Sequence, residues 1–190
     1  MYRTVALYML RNGIDPQDEQ TVSAHCGEAD VRVAYRDGAQ RTMLGGEDVS
    51  DLIRTGEVSA AASAISKWPA VRRRMVAAQR EIAATADMLI DGRDIGTRVL
   101  IDAPVKIFLT ATPEERARRR YRQQIEKGDM TPYEQVLAEL NARDAQDMNR
   151  KTDPLRQAED AVLVDSTNMT PEQVVDAIIA VVEDVYGKRA

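Results

Sequence analysis

The sequence has little of what covalent cross-links and metal sites are built from. Its 190 residues include one cysteine, Cys26, and one histidine, His25. A single cysteine excludes an intrachain disulfide, and an adjacent His–Cys pair lacks the ligand spacing of a zinc site. We therefore predict that both residues have ordinary structural surroundings and that neither is a metal ligand.

Long apolar runs and net positive charge are missing as well. The longest apolar run near the C-terminus, Ala177 to Val182, is far shorter than the roughly 20 residues that span a bilayer. No charged-then-apolar leader pattern opens the chain. The net charge of −5 argues against general binding to nucleic acid. These absences predict a cytoplasmic protein without a nucleic-acid polymer or a membrane as partner.

A third absence concerns phosphate binding, because the sequence contains no G-x-x-x-x-G-K-[ST] motif. The loop Gly45–Ser50 is no substitute, since Glu47 and Asp48 would repel phosphate and no lysine follows. Positive charge is nevertheless concentrated locally, at Arg72–Arg74 and at Arg116–Arg120. Such local fields can select a small anion even on an acidic protein.

Helix starts are the clearest local signal that is present. Three segments place Thr at the N-cap, Pro at the first helical position and Glu or Gln at the third: Thr112–Glu115, Thr131–Glu134 and Thr170–Gln173. Apolar spacing predicts a further helix from Pro69 to about Ala84, and Gly187 is predicted to end the last helix.

Short apolar runs between the helices predict the buried strands of a parallel sheet: Met88–Ile90, Val105–Leu109 and Ala161–Val164. The alternating stretch from Val31 to Leu44, interrupted by Asp37 and Gly38, predicts an antiparallel hairpin. The fold class is therefore predicted to be α/β, with a parallel sheet, flanking helices and a small antiparallel β insert.

The most informative charged segment is the loop Asp91–Gly96, which contains Arg93 and Asp94. It follows the predicted strand Met88–Ile90, and ligands of open α/β sheets bind at the carboxyl ends of strands. The loop is therefore a candidate ligand site.

Two helices carry further candidates. Arg143, Asp147 and Arg150 are spaced to share one helix face. They can form a solvated ion-pair stripe, or a wall that binds phosphate through guanidinium groups and sugar hydroxyls through the carboxylate. In the helix after Thr112, Glu114–Arg118 and Glu115–Arg119 are predicted ion pairs at i, i+4, and the remaining positive charge favours a polyphosphate.

Several separated segments together carry a family resemblance. In chain order they are Met1–Arg3, Gly46–Ser50, Ile53–Arg54, Glu57–Val58, Ala62–Ser63, Pro69, Val71–Arg72, Asp91–Thr97, Asp102–Leu109, Glu115–Ala117, Arg143–Asp144 and Asn149–Arg150. With these segments the chain resembles, over essentially its whole length, the bacterial cytidylate kinases, which are nucleoside monophosphate kinases of the P-loop type.

The resemblance implies a P-loop-type parallel sheet and phosphoryl transfer from ATP, with Mg²⁺, to CMP and dCMP. It also implies a single kinase-like domain over residues 1–190, typically monomeric, with a monophosphate-binding insert over about 28–62 and a mobile lid over about 112–130. Phosphoryl transfer depends on positioning and charge neutralisation, which suits a site rich in arginine.

The resemblance assigns roles to ten residues and none to Asp91. It places Ser63, Arg72 and Asp94 at the cytosine, Arg3, Arg93 and Arg150 at the monophosphate, Arg143 and Asp147 at the sugar, and Arg116 and Arg120 at ATP. Arg93, Arg116 and Arg120 are the expected catalytic residues. A carboxylate at Asp94 would accept the exocyclic amine of cytosine but would face an oxygen of uracil, a mismatch of about 1–3 kcal/mol.

In the family that the chain resembles, a strand, the P-loop and a helix precede the segment that resembles Met1–Arg3. One explanation is that Met1 is an internal methionine of a longer natural protein; the other is a genuine short form that binds nucleotide weakly. We favour the first, because the ligand positions are retained and the loss of a central strand is costly to a marginally stable fold.

Residues 1–190 alone are expected to expose apolar surface and to lack appreciable kinase activity. Two alternatives stay open. The chain could be a non-catalytic CMP-binding remnant, or a kinase of the same fold for another monophosphate such as UMP.

Overall fold

The computed structural model describes residues 1–36 and 38–187. The chain divides into two compact units, Met1–Met88 and Leu89–Ala190. The first unit contains helices α1 (Tyr2–Arg11), α2 (Glu19–His25), α3 (Gly56–Ile65) and α4 (Pro69–Ala83), strands β1 (Val31–Arg36), β2 (Ala39–Leu44) and β3 (Glu47–Asp48), and a 3₁₀ turn at Leu52–Arg54.

The core of the first unit forms where α1 packs against α3. Val5 and Met9, one helical turn apart on α1, are fully buried, as are Ile65 of α3 and Val71 of α4. Met75, one helical turn after Val71 on α4, is 1% exposed. The helix predicted from Pro69 is thereby confirmed, and its apolar face stabilises the unit by burial.

The predicted hairpin is confirmed as well. β1 pairs antiparallel with β2 in a register that runs from Val31 opposite Leu44 to Arg36 opposite Ala39, and β3 extends the sheet. Asp37 of the predicted turn lies outside the described residues. Gly38 has a φ of 74°, a left-handed conformation that the turn requires and that glycine adopts without strain.

The second unit contains one π-helical turn (Ile95–Val99), β4 (Ile107–Thr110), α5 (Pro113–Ile125), α6 (Tyr133–Asn149), β5 (Val162–Asp165) and α7 (Pro171–Tyr186). β4 and β5 pair in parallel, with Ile107 beside Val162 and Thr110 beside Asp165. This confirms the predicted α/β class, although both strands begin one or two residues later than predicted. Because Thr110 and Asp165 lie side by side at the carboxyl ends of these parallel strands, the loops that follow both strands begin at the same end of the sheet.

The prediction of a strand at Met88–Ile90 is wrong. Residues 88–90 belong to no sheet in the part of the chain that the structure describes, and β4 pairs with β5. A three-residue run cannot hold a strand without a hydrogen-bonded neighbour, and Leu89 is 82% exposed.

The three predicted helix caps have three different outcomes. At α7 the full capping box forms, with Thr170 and Gln173 bonded reciprocally. At α5 the Thr112 hydroxyl accepts from the Glu115 N–H, but its own N–H donates to Thr167. At α6 the prediction is wrong by one residue, because the helix begins at Tyr133 while Thr131 bonds to Asp129 in the preceding turn.

Gly187 ends α7 as predicted, with a φ of 82°. The helix nevertheless leaves much of its apolar side chains at the surface, since Val175 and Val185 are each about half exposed. Leu109 of β4 and Leu163 of β5 are also about half exposed. The second unit therefore presents apolar surface on α7 and on its two-stranded sheet.

Candidate functional site

The loop Asp91–Gly96 leads directly into the π-helical turn, and this turn buries Asp94. Arg98 donates its backbone N–H to the Asp94 carbonyl at 2.9 Å, and the Asp94 residue is only 7% exposed. A Cβ on Gly92 would lie 2.8 Å from Cγ1 of Ile95, so a side chain there would collide with the turn. Single π-helical turns are frequent at functional sites, and this one holds the backbone of a buried aspartate.

Asp147 of α6 is the centre of an ion-pair network in the second unit. The Arg93 Nε donates to its Oδ2 at 3.1 Å, and the Arg150 Nη1 lies 3.5 Å from its Oδ1. A second Arg150 nitrogen lies 3.7 Å from a carboxylate oxygen of Asp94. Only 5% of the Arg150 side chain and 6% of the Asp147 side chain are exposed, so the alternative of a solvated stripe is wrong for these two residues.

Arg143 lies on the same helix, and part of its surface is open to solvent. Burial of the rest of the group lowers its pKa first, and the neighbouring Arg93 guanidinium lowers it further, while Asp147 and Asp144 oppose the shift. An arginine stays protonated at neutral pH despite such a shift. Arg143 is therefore a partly desolvated cation close to Arg93, an arrangement that favours a bound anion.

Two arginines of α5 approach α6. Arg116 donates from both terminal nitrogens to the carboxylate of Asp144 in a bidentate pair, with one distance of 3.4 Å. Arg120 is exposed, and its charge contributes to the lowered pKa of Arg143. The structure thus places both residues predicted to bind ATP on the side of α5 that faces α6.

These contacts define one acid–arginine cluster in the second unit, made of Arg93, Asp94, Arg116, Arg143, Asp144, Asp147 and Arg150. Four guanidinium groups meet three carboxylates, which leaves an excess of one positive charge before Arg120 is counted. Buried carboxylates at fixed positions can accept hydrogen bonds from an amine or a hydroxyl. The excess arginine charge can neutralise phosphate.

The first unit contains three of the predicted site residues, and two of them lie close together. Ser63 and Arg72 are linked through Ser66, whose hydroxyl donates to the Ser63 carbonyl at 2.8 Å and whose carbonyl accepts from Arg72 at 3.3 Å. Arg72 is only 2% exposed. Arg3 of α1 donates to the carbonyl of Ile53 at 3.0 Å. The structure therefore brings Ser63 and Arg72 together, while Arg3 bonds to the 3₁₀ turn at Leu52–Arg54.

The remaining charges of α5 pair differently from the prediction. Arg119 pairs with Glu115 as expected, but Arg118 also bonds to Glu115, at 2.5 Å, and not to Glu114. These arginines lower the pKa of Glu115, chiefly through the hydrogen bond from Arg119. Arg119 also donates to the hydroxyl and the carbonyl of Ser166. This helix is therefore tied to the loop after β5.

Sequence reasoning missed the roles of Ser66, Asp144 and Asp153. Asp144 had one available signal, its place beside Arg143 in a segment that the resemblance includes. Ser66 and Asp153 act through backbone carbonyls, which bond to Arg72 and Arg150. A carbonyl is present at every residue, so the sequence carries no signal for either contact.

His25 is the last residue of α2, and Cys26 is the C-cap residue of that helix. The His25 ring lies 3.0 Å from the Glu28 carboxylate at the surface. Cys26 is buried, and this burial raises the pKa of its thiol. Over residues 1–36 and 38–187, no group of three or more His, Cys, Asp or Glu residues is arranged to hold a metal ion. Nor does this part of the chain form a helix long and apolar enough to cross a membrane.

Comparison with known proteins adds to this geometry. The sequence model of the cytidylate kinase family matches residues 1–184. The chain is 51% identical over 177 residues to a cytidylate kinase of Mycobacterium avium, an alignment that covers 93% of this chain and 78% of that protein. It is 45% identical over 179 residues to a cytidylate kinase of Caldicellulosiruptor bescii, with 94% and 79% covered. For a cytidylate kinase of Syntrophotalea carbinolica the identity is 44% over 184 residues, with 97% and 78% covered.

Proposed function

Because the chain belongs to the cytidylate kinase family, we propose that its acid–arginine cluster binds the CMP or dCMP that accepts a phosphoryl group from ATP. The observation that carries this proposal is Arg150 lying between the buried carboxylates of Asp94 and Asp147. Two fixed acceptors beside an excess of arginine match a ligand that has amine and hydroxyl donors at one end and phosphate at the other.

Each part of the nucleotide has a proposed partner. Asp94 accepts from the exocyclic amine of cytosine, and Asp147 with Arg143 binds the sugar hydroxyls. Arg93, whose side chain is 45% exposed, is open enough to bind the monophosphate. Arg3 and Arg150 at the phosphate, and Ser63 and Arg72 at the base, stay predictions from the family resemblance.

Binding of the phosphoryl donor, ATP, is assigned to arginines of α5. Arg116 and Arg120 are proposed to neutralise the polyphosphate of ATP, with residues 112–130 acting as the lid and 28–62 as the monophosphate-binding insert. For Arg116 this requires that its bond to Asp144 opens or is shared. Guanidinium groups placed where charge develops lower the barrier to phosphoryl transfer.

Apart from these arginines, the part of the chain that the structure describes offers no P-loop for the phosphates of ATP and no ligand cluster for Mg²⁺. The sequence lacks G-x-x-x-x-G-K-[ST], and the described residues contain no cluster of metal ligands. We therefore assign no step to the metal. We propose that residues 1–190 by themselves bind CMP and do not turn it over, and that the family reaction takes place in the cytoplasm.

Calorimetric titration of residues 1–190 with CMP tests the binding proposal. Arg93→Ala should weaken binding about tenfold or more, because loss of a charged hydrogen bond costs roughly 1.5–3 kcal/mol. Arg156→Ala is the matched control, since Arg156 is an exposed arginine of the same unit. No heat from CMP with the unmodified chain would refute the proposal, and so would equal affinities of the two variants.

A coupled assay for ADP release, run on the same protein with ATP, Mg²⁺ and CMP, tests the second statement. Background-level turnover with intact CMP binding supports a CMP-binding chain without activity. Measurable turnover would show that residues 1–190 suffice for the reaction. The same titration with UMP separates a cytidylate site from a site for another monophosphate.

A further inference from the structure

Arg150 is held from both sides of its guanidinium group. Its terminal nitrogens lie 3.5 Å from Asp147 and 3.7 Å from Asp94, and its Nε donates to the backbone carbonyl of Asp153 at 2.5 Å. The side chain is 5% exposed. The carbonyl of Asp153 thus fixes the direction from which Arg150 reaches the two carboxylates.

Asp153 has an unusual backbone conformation. Its φ of 48° makes it the one residue other than glycine with positive φ among residues 1–36 and 38–187. A left-handed conformation is unfavourable for residues that have a Cβ, although aspartate tolerates it better than most. Pro154 follows directly and restricts the same residue further. Such conformations persist where surrounding contacts impose them, and they cluster at functional sites.

The Asp153 side chain supplies one of these contacts. Its carboxylate lies 3.4 Å from Nε of Arg98, and only 20% of the side chain is exposed. Arg98 belongs to the π-helical turn that starts after Asp94, and its N–H donates to the Asp94 carbonyl. Asp153 therefore connects the turn that carries Asp94 with the arginine that bridges Asp94 and Asp147.

We infer that Asp153 is a positioning residue for Arg150, and through Arg150 for the carboxylates of Asp94 and Asp147. The left-handed backbone directs its carbonyl at Arg150, and the ion pair with Arg98 holds the loop in that conformation. The consequence for nucleotide binding rests on the proposed function, since Asp94 and Asp147 are the groups assigned to the base and the sugar.

Replacing Asp153 by alanine and by glycine separates the backbone from the side chain. Both variants lose the carboxylate, but only glycine adopts positive φ without strain. Asp153→Asn removes the charge and keeps a residue that tolerates the conformation. Lys151→Ala is the matched control, because Lys151 is an exposed residue of the same loop.

The direct measurement is hydrogen exchange of the Arg150 Nε–H by NMR, with the signal assigned from its loss in Arg150→Lys. Asp153→Ala should speed this exchange about tenfold or more relative to Asp153→Gly, because alanine is strained at positive φ and glycine is not. Lys151→Ala should lie close to the unmodified protein, and Asp153→Asn should lie between it and Asp153→Ala, because the amide tolerates the conformation but loses the ion pair with Arg98. Equal exchange rates in the alanine and glycine variants would overturn the inference.

Calorimetry with CMP and UMP extends the test to the nucleotide site. Asp153→Ala should weaken CMP binding by about five- to thirtyfold and lower the CMP-to-UMP affinity ratio, whereas Asp153→Gly retains most of both. A merely structural role would shift the urea midpoint and leave that ratio unchanged, which would count against the inference. If neither the unmodified chain nor any variant binds CMP, the proposed function fails. The exchange data still decide in that case whether Asp153 positions Arg150.

Discussion

The guanidinium group of Arg116 and the carboxylate of Asp144 form a bidentate ion pair that joins α5 to α6. About a third of the Arg116 side chain and a fifth of the Asp144 side chain are exposed. The pair is thus shielded from water more than a surface ion pair, and Arg116 belongs to the helix proposed to act as a lid. The position of that helix depends on a contact that a nucleotide phosphate could compete for.

A double-mutant cycle measures this contact. We expect the free energies of unfolding in urea of Arg116→Ala, Asp144→Ala and the double variant to give a coupling of about 1–2 kcal/mol. The comparison pair is Arg118 with Glu115, which lies within α5 and leaves half of Arg118 exposed. That pair should couple by only about 0.3–0.5 kcal/mol. Equal coupling in both cycles would contradict the special role of Arg116 and Asp144.

Base selectivity is expected to depend on the charge of Asp94. Asp94→Asn should lower the ratio of CMP to UMP affinity about tenfold, since an amide can donate to the uracil oxygen that a carboxylate faces as a second acceptor. Calorimetric titration with both nucleotides gives the ratio, in which any general loss of binding cancels. Asp91→Asn, in the same loop and exposed, is the control. A ratio that is unchanged in Asp94→Asn would exclude Asp94 from base recognition.

Acid should weaken the antiparallel sheet of the first unit through Asp48, a residue of β3. Hydrogen bonds from the Ser50 hydroxyl and then from the Ser50 backbone N–H lower the pKa of Asp48 below its usual value. A carboxyl whose pKa is lower in the folded state stabilises the protein above its unfolded pKa of about 3.9, and this stabilisation is lost as the pH falls through the folded value.

Urea unfolding between about pH 5 and about pH 3 checks this dependence. The unmodified protein should lose more stability over this range than Asp48→Asn, which cannot take up the proton. Asp51→Asn serves as the control, because Asp51 is an exposed carboxylate just past Ser50. If Asp48→Asn and the unmodified protein lose the same stability, the Asp48–Ser50 bond contributes nothing to the acid sensitivity.

The sequence predicted the ends of helices correctly where those ends depend only on neighbouring residues. The capping box at Thr170 and the stop at Gly187 involve only neighbouring residues, and both are present. Thr131 has the same signature, but Asp129 offers its hydroxyl a competing bond in the preceding turn. Two local motifs overlap there, and the sequence alone does not rank them.

Strands were harder to predict because a strand is defined by its partner. Three apolar runs were predicted to be strands: Val105–Leu109, Ala161–Val164 and Met88–Ile90. Only the first two contain strands that pair with each other in the sheet. Pairing between residues more than fifty positions apart depends on the whole fold. A run of three apolar residues therefore forms a strand only where another strand is available to pair with it.

The residues of the candidate site likewise fall into those that the sequence indicated and those that it did not. The family resemblance pointed to Arg93, Asp94 and Asp147 by their segments, and the structure places them within one network. The contact of Asp153 with Arg150 depends on backbone conformation and tertiary approach. Residue type carries almost no information about such a contact, so only coordinates could identify it.

The hydroxyl of Thr167 has an effect that reaches beyond its own loop. It accepts the N–H of Thr112, the group that the Glu115 side chain would bind in a complete capping box. Glu115 is consequently left to bind Arg118 and Arg119. Since Thr112 and Thr167 are 55 positions apart, the charge arrangement along α5 is set by where the other strand of the sheet ends. The ion pairs on this helix therefore depend on a tertiary contact as well as on the sequence of the helix itself.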